Sequence, residues 1–162
     1  MPDMLLTKEF SRKNFLRYAE DSLIFGDKTF EIHINNNVIS TLNAYRQLES
    51  HQHEKGGILI GRFTEDKVII VGLTHPFSQD KSTRFSFNRQ DPMHDKILQA
   101  HWQLSHNKVG FAGDWHTHPE SIPTASSIDL KGWENQVEHP HPYVFLIQGI
   151  EKLTVYLCHI NK

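Results

Sequence analysis

Short apolar runs along the chain predict its strands. Runs of about four to eight residues, rich in Val, Ile and aromatic side chains and bounded by turn residues, are typical of strands. They predict strands at residues 29–34, 56–63, 67–73, 84–88, 109–112, 143–148 and 153–160. The run from Val68 to Val71 is continuously apolar, which is typical of a strand covered on both faces.

Apolar residues at helical spacing predict three helices. The first follows the asparagines at 35–37 and runs to about residue 49, the second runs from Pro92 to about residue 106, and the third begins near Ser126. Their predicted buried faces are Val38, Leu42, Tyr45 and Leu48; Met93, Ile97, Ala100 and Leu104; and Ile128, Leu130, Trp133 and Val137.

Length and element order predict one α/β domain. A chain of 162 residues has the size of a single domain and can bury a substantial core. Residues 1–25 are the least regular, and their apolar positions predict a short helix in an N-terminal extension. Residues 26–162 alternate strands with helices, which predicts a mixed β-sheet flanked by helices.

Composition narrows the class of protein. Lys and Arg number 17 against 19 Asp and Glu, a net charge of -2, which argues against a general nucleic-acid-binding protein. The single cysteine, Cys158, excludes an intrachain disulfide, and we expect it in the core or at a sheet edge rather than as a nucleophile. The apolar run at residues 4–6 is too short for a signal peptide, and no run reaches membrane-spanning length. We therefore expect a soluble, cytoplasmic protein with no membrane partner.

Two glycines open the strand at 56–63. Gly56 and Gly57 lack side chains, so another backbone or a substrate can approach them closely. A bulge near a sheet edge explains them equally well. The polar residues 75–84 predict a surface loop nearby in the chain.

His116 and His118 carry the clearest chemistry. Alternation along a strand places both imidazoles on one face, and Pro119 then ends the strand. Asp129 falls in the first turn of the third helix, where the helix dipole favours a carboxylate and from which it can face the histidines. Two imidazoles, one carboxylate and an open fourth position form the ligand set of a catalytic zinc site, which predicts one Zn²⁺ per chain.

Other interpretations of the same residues stay open. Ser126 and Asp129 also match a capping box, which needs no metal. His51 and His53 lie beside Glu54, but we interpret them as part of a loop. The histidines of the second helix, at 94, 101 and 106, are interpreted as surface or hydrogen-bonded residues. The sequence contains no H-E-x-x-H, no G-x-S-x-G and no P-loop.

The combined pattern resembles a known family. Glu54 precedes the glycine-rich strand at 56–61, H-x-H-P follows at 116–119, and S-x-x-D spans residues 126–129. This resembles the JAMM motif of JAB/MPN-domain metalloproteases, and the resemblance covers about residues 30–160. It implies a JAB/MPN, cytidine-deaminase-like fold, with Glu54 as the general base and Ser126 as a hydrogen-bond donor to the oxyanion. Zinc lowers the pKa of water to about 7, and a nearby carboxylate can move the proton.

The resemblance also implies a substrate. The chain looks most like the bacterial JAB-domain deconjugases of the antiphage defence systems called CBASS. These cut the bond between the C-terminal tail of a ubiquitin-like protein or CD-NTase-type nucleotidyltransferase and its target, with E1- and E2-like proteins as partners. Two alternatives stay open: a peptidase that trims a sulfur-carrier protein, and a non-catalytic MPN interaction module. The presence of every ligand and of Glu54 weighs against the second.

Overall fold

A computed structural model describes residues 7–161. Within that range the strands are β1 (Thr7–Lys13), β2 (Phe15–Tyr18), β3 (Ser22–Gly26), β4 (Glu31–Asn35), β5 (Gly56–Phe63), β6 (Lys67–Leu73), β7 (Lys81–Thr83), β8 (Ser86–Asn88), β9 (Gly110–Thr117), β10 (Tyr143–Gln148) and β11 (Leu153–Asn161). The helices are α1 (Asn36–Ala44), α2 (Met93–Leu104) and α3 (Ser127–Gln136).

Nine of these strands form one mixed sheet in the order β1-β11-β10-β9-β5-β6-β4-β3-β2. The pairs β9–β10 and β4–β6 are parallel, and the other neighbours are antiparallel. β7 and β8 form a separate hairpin. α1 packs on β4 and β6, α2 on β5 and β9, and α3 on β9. The predicted mixed sheet flanked by helices is therefore confirmed.

The core lies on both faces of the sheet. In β10, Val144 and Leu146 belong to one buried apolar cluster together with Leu42 of α1. Phe145 belongs to a second cluster, in which Trp133 of α3 stacks on it with ring centroids 4.8 Å apart. Because successive residues of a strand point to opposite faces, α1 and α3 cover opposite sides of β10.

A β-bulge in β9 determines which of its side chains face α3. Leu59 of β5 pairs with Gly113, whereas the next residue, Ile60, pairs with Phe111, so Ala112 is the extra residue. An extra residue reverses the alternation of the strand beyond it. Ala112 joins the α1 cluster, whereas Phe111 packs against the α3 cluster.

Gly113 makes this bulge possible. Its φ is +139°, and a Cβ there would lie 1.6 Å from the carbonyl oxygen of Val144, so the position requires glycine. Beyond the bulge, Trp115 packs in the α1 cluster. Asp114 and His116 contact α3, the first through a hydrogen bond and the second through a ring contact.

The N-terminal residues form strands rather than the predicted helix. β1 pairs along its whole length with β11 at one edge of the sheet, and β2 pairs with β3 at the other. The helix prediction is therefore wrong for residues 7–25, because pairing with a distant strand outweighs weak local helical spacing. Residues 1–6 lie outside the described range. The predicted boundary between residues 25 and 26 falls inside β3, and the division into extension and domain stays a prediction.

All three helices differ from their predicted extents or buried faces. At α3, Trp133 and Val137 are buried as predicted, but Ile128 is 82% exposed and Leu130 is also exposed. α1 ends at Ala44 instead of about residue 49, and Leu48 is exposed. The buried face predicted for α2 is wrong, since Leu104 is 83% exposed and Met93 is also exposed. The buried residue of α2 is His94. Helical spacing predicts that residues 93–104 form a helix, but it does not predict which face packs on the sheet. The buried hydrogen bonds of His94 determine that face.

His94 and Asp80 anchor the segment between β6 and α2. Oδ2 of Asp80 lies 2.7 Å from Nε2 of His94, whose Nδ1 lies 2.6 Å from Oγ1 of Thr74. Asp80 also accepts backbone N–H groups from Phe77 and Asp91. His94 is thus a hydrogen-bonded buried histidine, one of the two predicted options. The predicted loop at 75–84 includes the short strand β7, and the predicted strand at 84–88 is confirmed as β8.

Gly56 and Gly57 allow the chain's own backbone to approach. A Cβ on Gly57 would lie 2.1 Å from the carbonyl oxygen of Thr74, and one on Gly56 would lie 2.7 Å from that of Trp115. The edge-bulge alternative is wrong, because β5 lies in the middle of the sheet between β9 and β6. Among the described residues, no helix is both long and apolar enough to cross a membrane.

Candidate metal centre and active site

Strand pairing brings the candidate residues to one end of the sheet. β5 and β9 are antiparallel and pair Gly56 with His116, so Glu54, two residues before Gly56, lies beside His118. Asp129 enters from the first turn of α3, which packs on β9. Both predicted elements are confirmed. The strand is β9, which contains His116 and is followed directly by His118, and the helix is α3 with Ser126 as its N-cap.

The two imidazoles and the Asp129 carboxylate are in contact. Nε2 of His116 and Nε2 of His118 lie 3.0 Å apart. Oδ1 of Asp129 lies 3.3 Å from Nε2 of His116, and Oδ2 lies 3.2 Å from Nε2 of His118. A carboxylate oxygen of Glu54 lies within 4.8 Å of the same histidine nitrogens. All of these residues are buried or nearly so.

These separations fit a tetrahedral metal ion. Zinc binds imidazole nitrogen and carboxylate oxygen at about 2.0–2.2 Å, so neighbouring ligand atoms of a tetrahedral site lie about 3.3–3.5 Å apart. The contacts among His116, His118 and Asp129 approach that spacing. Glu54 with the two histidines is a second possible ligand set. The shorter contacts favour Asp129 as the third ligand, which leaves the Glu54 carboxylate beside the site.

The charges of the cluster shift its pKa values. Burial alone would raise the pKa of Asp129, but hydrogen bonds from His116 and His118 hold it well below its ordinary value. Burial alone would lower the pKa of His118, but its carboxylate partners Asp129 and Glu120 raise it. The Asp129 carboxylate is therefore ionised at neutral pH, as a metal ligand must be.

Glu54 has a different environment. Its side chain is 4% exposed, and burial raises its pKa to about 7, against the opposing effect of the nearby histidines. Within the described part of the chain, no hydrogen bond reaches its carboxylate. A carboxyl group with a pKa near neutrality can both accept and donate a proton at working pH, which suits a general base.

The capping box at Ser126 is present, and it orients Asp129. Oγ of Ser126 accepts the backbone N–H of Asp129, and Oδ2 of Asp129 accepts the backbone N–H of Ser126. The same Oδ2 faces His118. The capping interpretation and the metal interpretation are therefore compatible, since the cap holds the carboxylate in place. Among the described residues, no acceptor takes the hydrogen of the Ser126 hydroxyl.

Two further residues support the histidines, and the sequence interpretation missed both. Oε1 of Glu120 lies 2.8 Å from Nδ1 of His118, on the side of the ring away from His116. The ring of Trp133 lies 6.1 Å from that of His116. In the sequence, the available signal for the Glu120 contact was a carboxylate two residues after His118, on the other side of Pro119.

The remaining candidates lie outside the cluster. His51 and His53 occupy the turn and loop before β5, as interpreted, and within residues 7–161 the one group that meets metal-ligand spacing is Glu54, His116 and His118. Cys158 is buried in the core, and burial raises the pKa of its thiol to about 11. Such a thiol is unreactive at neutral pH.

A cleft of about 340 Å³ opens beside the cluster. Glu54, His116 and Asp129 line part of it. Residues of β5, β8, β9 and α3 and Arg89 supply the rest, including Phe87 and Ile128. A larger cleft of about 950 Å³, near the C-terminal end of β5, contains none of the candidate residues. Chemistry at the cluster would therefore use the smaller cleft.

A family comparison agrees with the fold. The family model described as prokaryotic homologs of the JAB domain matches residues 39–158. The chain belongs to this family. The matched part contains all five candidate residues, although the match itself does not test their roles.

Relatives of this JAB-family chain carry one name. A protein of Escherichia coli (strain TW11681) named CD-NTase/cGAS isopeptidase is 33% identical over 131 residues, which cover 80% of this chain and 83% of that protein. One from Vibrio cholerae serotype O1 with the same name is 28% identical over 132 residues, covering 81% and 85%. The solution structure of protein DSY2949 from Desulfitobacterium hafniense matches with a TM-score of 0.55 at 17% identity, covering 81% and 90%, and supports the fold alone.

Proposed function

We propose that this JAB-family chain is a zinc-dependent isopeptidase that releases a CD-NTase-type protein from a conjugate in bacterial antiphage defence. The observation that carries the proposal is the contact of His116, His118 and Asp129 beside the buried carboxyl of Glu54. The name shared by its relatives supports the substrate class. A non-catalytic module would have no use for a buried carboxyl facing three polar ligands, because burying such groups is costly.

In this proposal His116, His118 and Asp129 hold the metal. Zinc bound there supplies Lewis acidity, which polarises a carbonyl and makes water acidic enough to lose a proton near neutral pH. Both imidazoles bind through Nε2, because those atoms face each other and Asp129. Glu120 keeps the proton on Nδ1 of His118, which leaves its Nε2 lone pair free.

Glu54 moves the protons of the hydrolysis. Its carboxylate takes one proton from the attacking water and delivers it to the leaving amine as the carbon–nitrogen bond breaks. The oxygen of the water ends in the new carboxylic acid, and one of its hydrogens reaches the amine through Glu54. The other hydrogen leaves as the acid ionises, so that the products at neutral pH are a carboxylate and an ammonium group. A general base of this kind contributes roughly a hundred- to ten-thousand-fold to the rate.

Ser126 donates a hydrogen bond to the developing oxyanion in this scheme. Its oxygen is already used as the acceptor of the Asp129 N–H, so its hydroxyl hydrogen remains for the substrate. The start of α3 also favours negative charge, because free backbone N–H groups point outward there.

The cleft between β8 and α3 receives the tail of the tagged protein. Its walls combine apolar side chains, such as Phe87 and Ile128, with the polar Asn88 and Arg89. A volume of about 340 Å³ suits a few residues of an extended chain rather than a folded domain. The cut then falls at the end of a flexible C-terminal tail.

A fusion substrate tests this proposal. A CD-NTase-type or ubiquitin-like protein is joined through its C-terminus to an unrelated domain, once in a linear fusion and once through a lysine side chain. Mass spectrometry of the products locates the cut. We expect release of the tagged protein with its C-terminus intact. Cleavage inside the unrelated domain, or no cleavage by zinc-loaded protein, would contradict the proposal, and cleavage of the linear fusion alone would favour a trimming peptidase.

A further inference from the structure

A buried amide lies behind the candidate site, on the opposite side of β9 from the histidines. Gln47 follows α1 and is 2% exposed. Its Nε2 donates to the carbonyl oxygens of Arg84 at 3.0 Å and Gln52 at 3.2 Å. Its Oε1 accepts the hydroxyl of Thr117 at 2.7 Å. One side chain therefore joins the end of α1, the β7–β8 hairpin, the loop before β5 and the strand β9.

Thr117 connects this amide to the segment that carries Glu54. It lies between His116 and His118 and points to the other face of the strand. Its Oγ1 accepts the backbone N–H of Lys55 at 2.9 Å, and its own N–H donates to the carbonyl oxygen of Lys55 at 2.9 Å. The residue after Glu54 is thus held by two hydrogen bonds to the residue between the two histidines.

The hairpin holds the other side of the same segment. The backbone N–H of Glu54 donates to the carbonyl oxygen of Thr83 at 2.8 Å. Thr83 precedes Arg84, whose carbonyl Gln47 holds. Glu54 is therefore positioned by β9 on one side and by the hairpin on the other, and Gln47 bridges the two. Because no described hydrogen bond reaches the Glu54 carboxylate, its place depends on this backbone framework.

We propose that the Gln47–Thr117 hydrogen bond is a positioning contact that sets the distance between the Glu54 carboxylate and the two histidines. The proposal rests on the proposed role of Glu54 as the base. Displacing a reacting group by about 1 Å can cost on the order of a hundredfold in rate. The bond acts on proton transfer and leaves the metal ligands, which occupy the opposite face of β9, in place.

Variants at both ends of the bond test the proposal. Thr117→Val and Gln47→Met each remove one partner of the bond with little change in shape, and Thr117→Ser keeps the hydroxyl. Thr117→Val also removes the acceptor of the Lys55 N–H, and Gln47→Met also removes the donor to Arg84 and Gln52. With the fusion substrate, we expect Thr117→Val and Gln47→Met each to lower kcat by about 10- to 100-fold with KM and zinc content unchanged. Thr117→Ser should restore kcat. The double variant should lose clearly less than the two single losses combined, because both variants remove the shared Gln47–Thr117 bond.

A matched control separates positioning from stability. Thr154 is buried, and its hydroxyl donates to the carbonyl oxygen of Pro123 at 2.7 Å, a hydrogen bond that involves neither Gln47, Thr117 nor Lys55. Thr154→Val loses the same kind of hydrogen bond and should keep its kcat. Unchanged kcat in both Thr117→Val and Gln47→Met, additive losses in the double variant, or loss of zinc from Thr117→Val would overturn the proposal.

Hydrogen exchange tests the Gln47–Thr117 bond without any substrate. The amide of Lys55 should exchange at least tenfold faster in Gln47→Met than in the wild type or Thr117→Ser, measured without any conjugate. Thr117→Val removes the acceptor of this amide itself and serves as the reference for complete loss of the hydrogen bond. If the wild-type chain cleaves no substrate, the proposed function fails. The exchange measurement still shows whether the Gln47–Thr117 hydrogen bond holds the Lys55 segment in place. Equal exchange of the Lys55 amide in Gln47→Met and the wild type would overturn the proposal even if the enzyme is active. If Thr117→Val does not fold, the comparison of Gln47→Met with the wild type still decides whether Gln47 supports the Lys55 segment.

Discussion

Nε2 of His116 lies 3.0 Å from Nε2 of His118, with the Asp129 carboxylate within 3.3 Å of each. Two neutral imidazole nitrogens that both face the same point with their lone pairs repel each other unless a cation lies between them. A proton or a metal ion can provide that charge, and the carboxylate favours either. The contact therefore predicts which residues control zinc content.

The purified chain should contain about one zinc ion, and His116→Ala, His118→Ala or Asp129→Ala should lower that content severalfold. Each substitution removes one of three ligand atoms, and a remaining pair binds zinc weakly. Plasma mass spectrometry measures the metal. His101→Ala, on the exposed surface of α2, is the control and should keep its zinc. Full occupancy in all three site variants would refute the ligand assignment.

Glu120→Ala should weaken zinc binding by about 10- to 100-fold without abolishing it. The Glu120 carboxylate accepts from Nδ1 of His118 and thereby orients the ring and fixes its tautomer. Competition with a chromophoric chelator measures the affinity. Glu151→Ala removes another exposed carboxylate on the neighbouring turn and should have no effect. Equal affinities in the two variants would mean that the Glu120 contact is incidental.

Local sequence signals account for most of the candidate site, because His116, His118 and Asp129 come from one strand and the start of one helix. His116 and His118 share a face by strand alternation, and Asp129 follows from the helix start at Ser126. The bulge at Ala112 was not predicted, yet it preserves the local relation between the two histidines because it precedes them. Only the position of Glu54 needed a long-range pairing, and the resemblance to a family supplied it.

Long-range contacts explain what the sequence pattern missed. Gln47 is polar and falls where the first helix was expected to continue, and its partner Thr117 is 70 residues away. β1 pairs with β11, whose residues lie at the opposite end of the chain. The stripe predicted for α2 is wrong because Leu104 faces solvent while His94 makes the buried contact. No local pattern reveals which polar side chain will find a distant buried partner.

Cys158→Ser should remain fully active, and a thiol-alkylating reagent at pH 7 should leave the folded chain active. Burial raises the pKa of the Cys158 thiol to about 11, so almost no thiolate forms at neutral pH. A zinc chelator should abolish activity in the same assay. Inactivation by the alkylating reagent together with resistance to the chelator would indicate a cysteine hydrolase instead.

Asp80→Asn should destabilise the chain at pH 7 by about 1.5–3 kcal/mol, because one amide oxygen cannot replace all the acceptor positions of the Asp80 carboxylate. Burial alone would raise the pKa of Asp80, but backbone N–H groups of Asp91 and Phe77, with His94, outweigh it and lower the pKa. Since the folded pKa is lowered, this stabilisation is present above the unfolded pKa of about 3.9 and is lost as pH falls through the folded pKa.

Thermal unfolding at several pH values checks this account of Asp80. The difference in melting temperature between wild type and Asp80→Asn should be constant from about pH 5 to 7 and shrink below about pH 4. Asp66→Asn, at an exposed turn, serves as the control for removing a carboxylate. A difference that stays unchanged down to pH 2 would show that the Asp80 carboxylate is not the source of the stability.

The most direct test of the central claim compares wild type with Glu54→Gln at equal, measured zinc content on a lysine-linked CD-NTase-type conjugate. If Glu54 is the base beside a metal held by His116, His118 and Asp129, Glu54→Gln keeps about one zinc per chain and loses roughly a hundred- to ten-thousand-fold in kcat. Glu54→Gln that retains most of the wild-type rate, or that loses its zinc, would contradict the account.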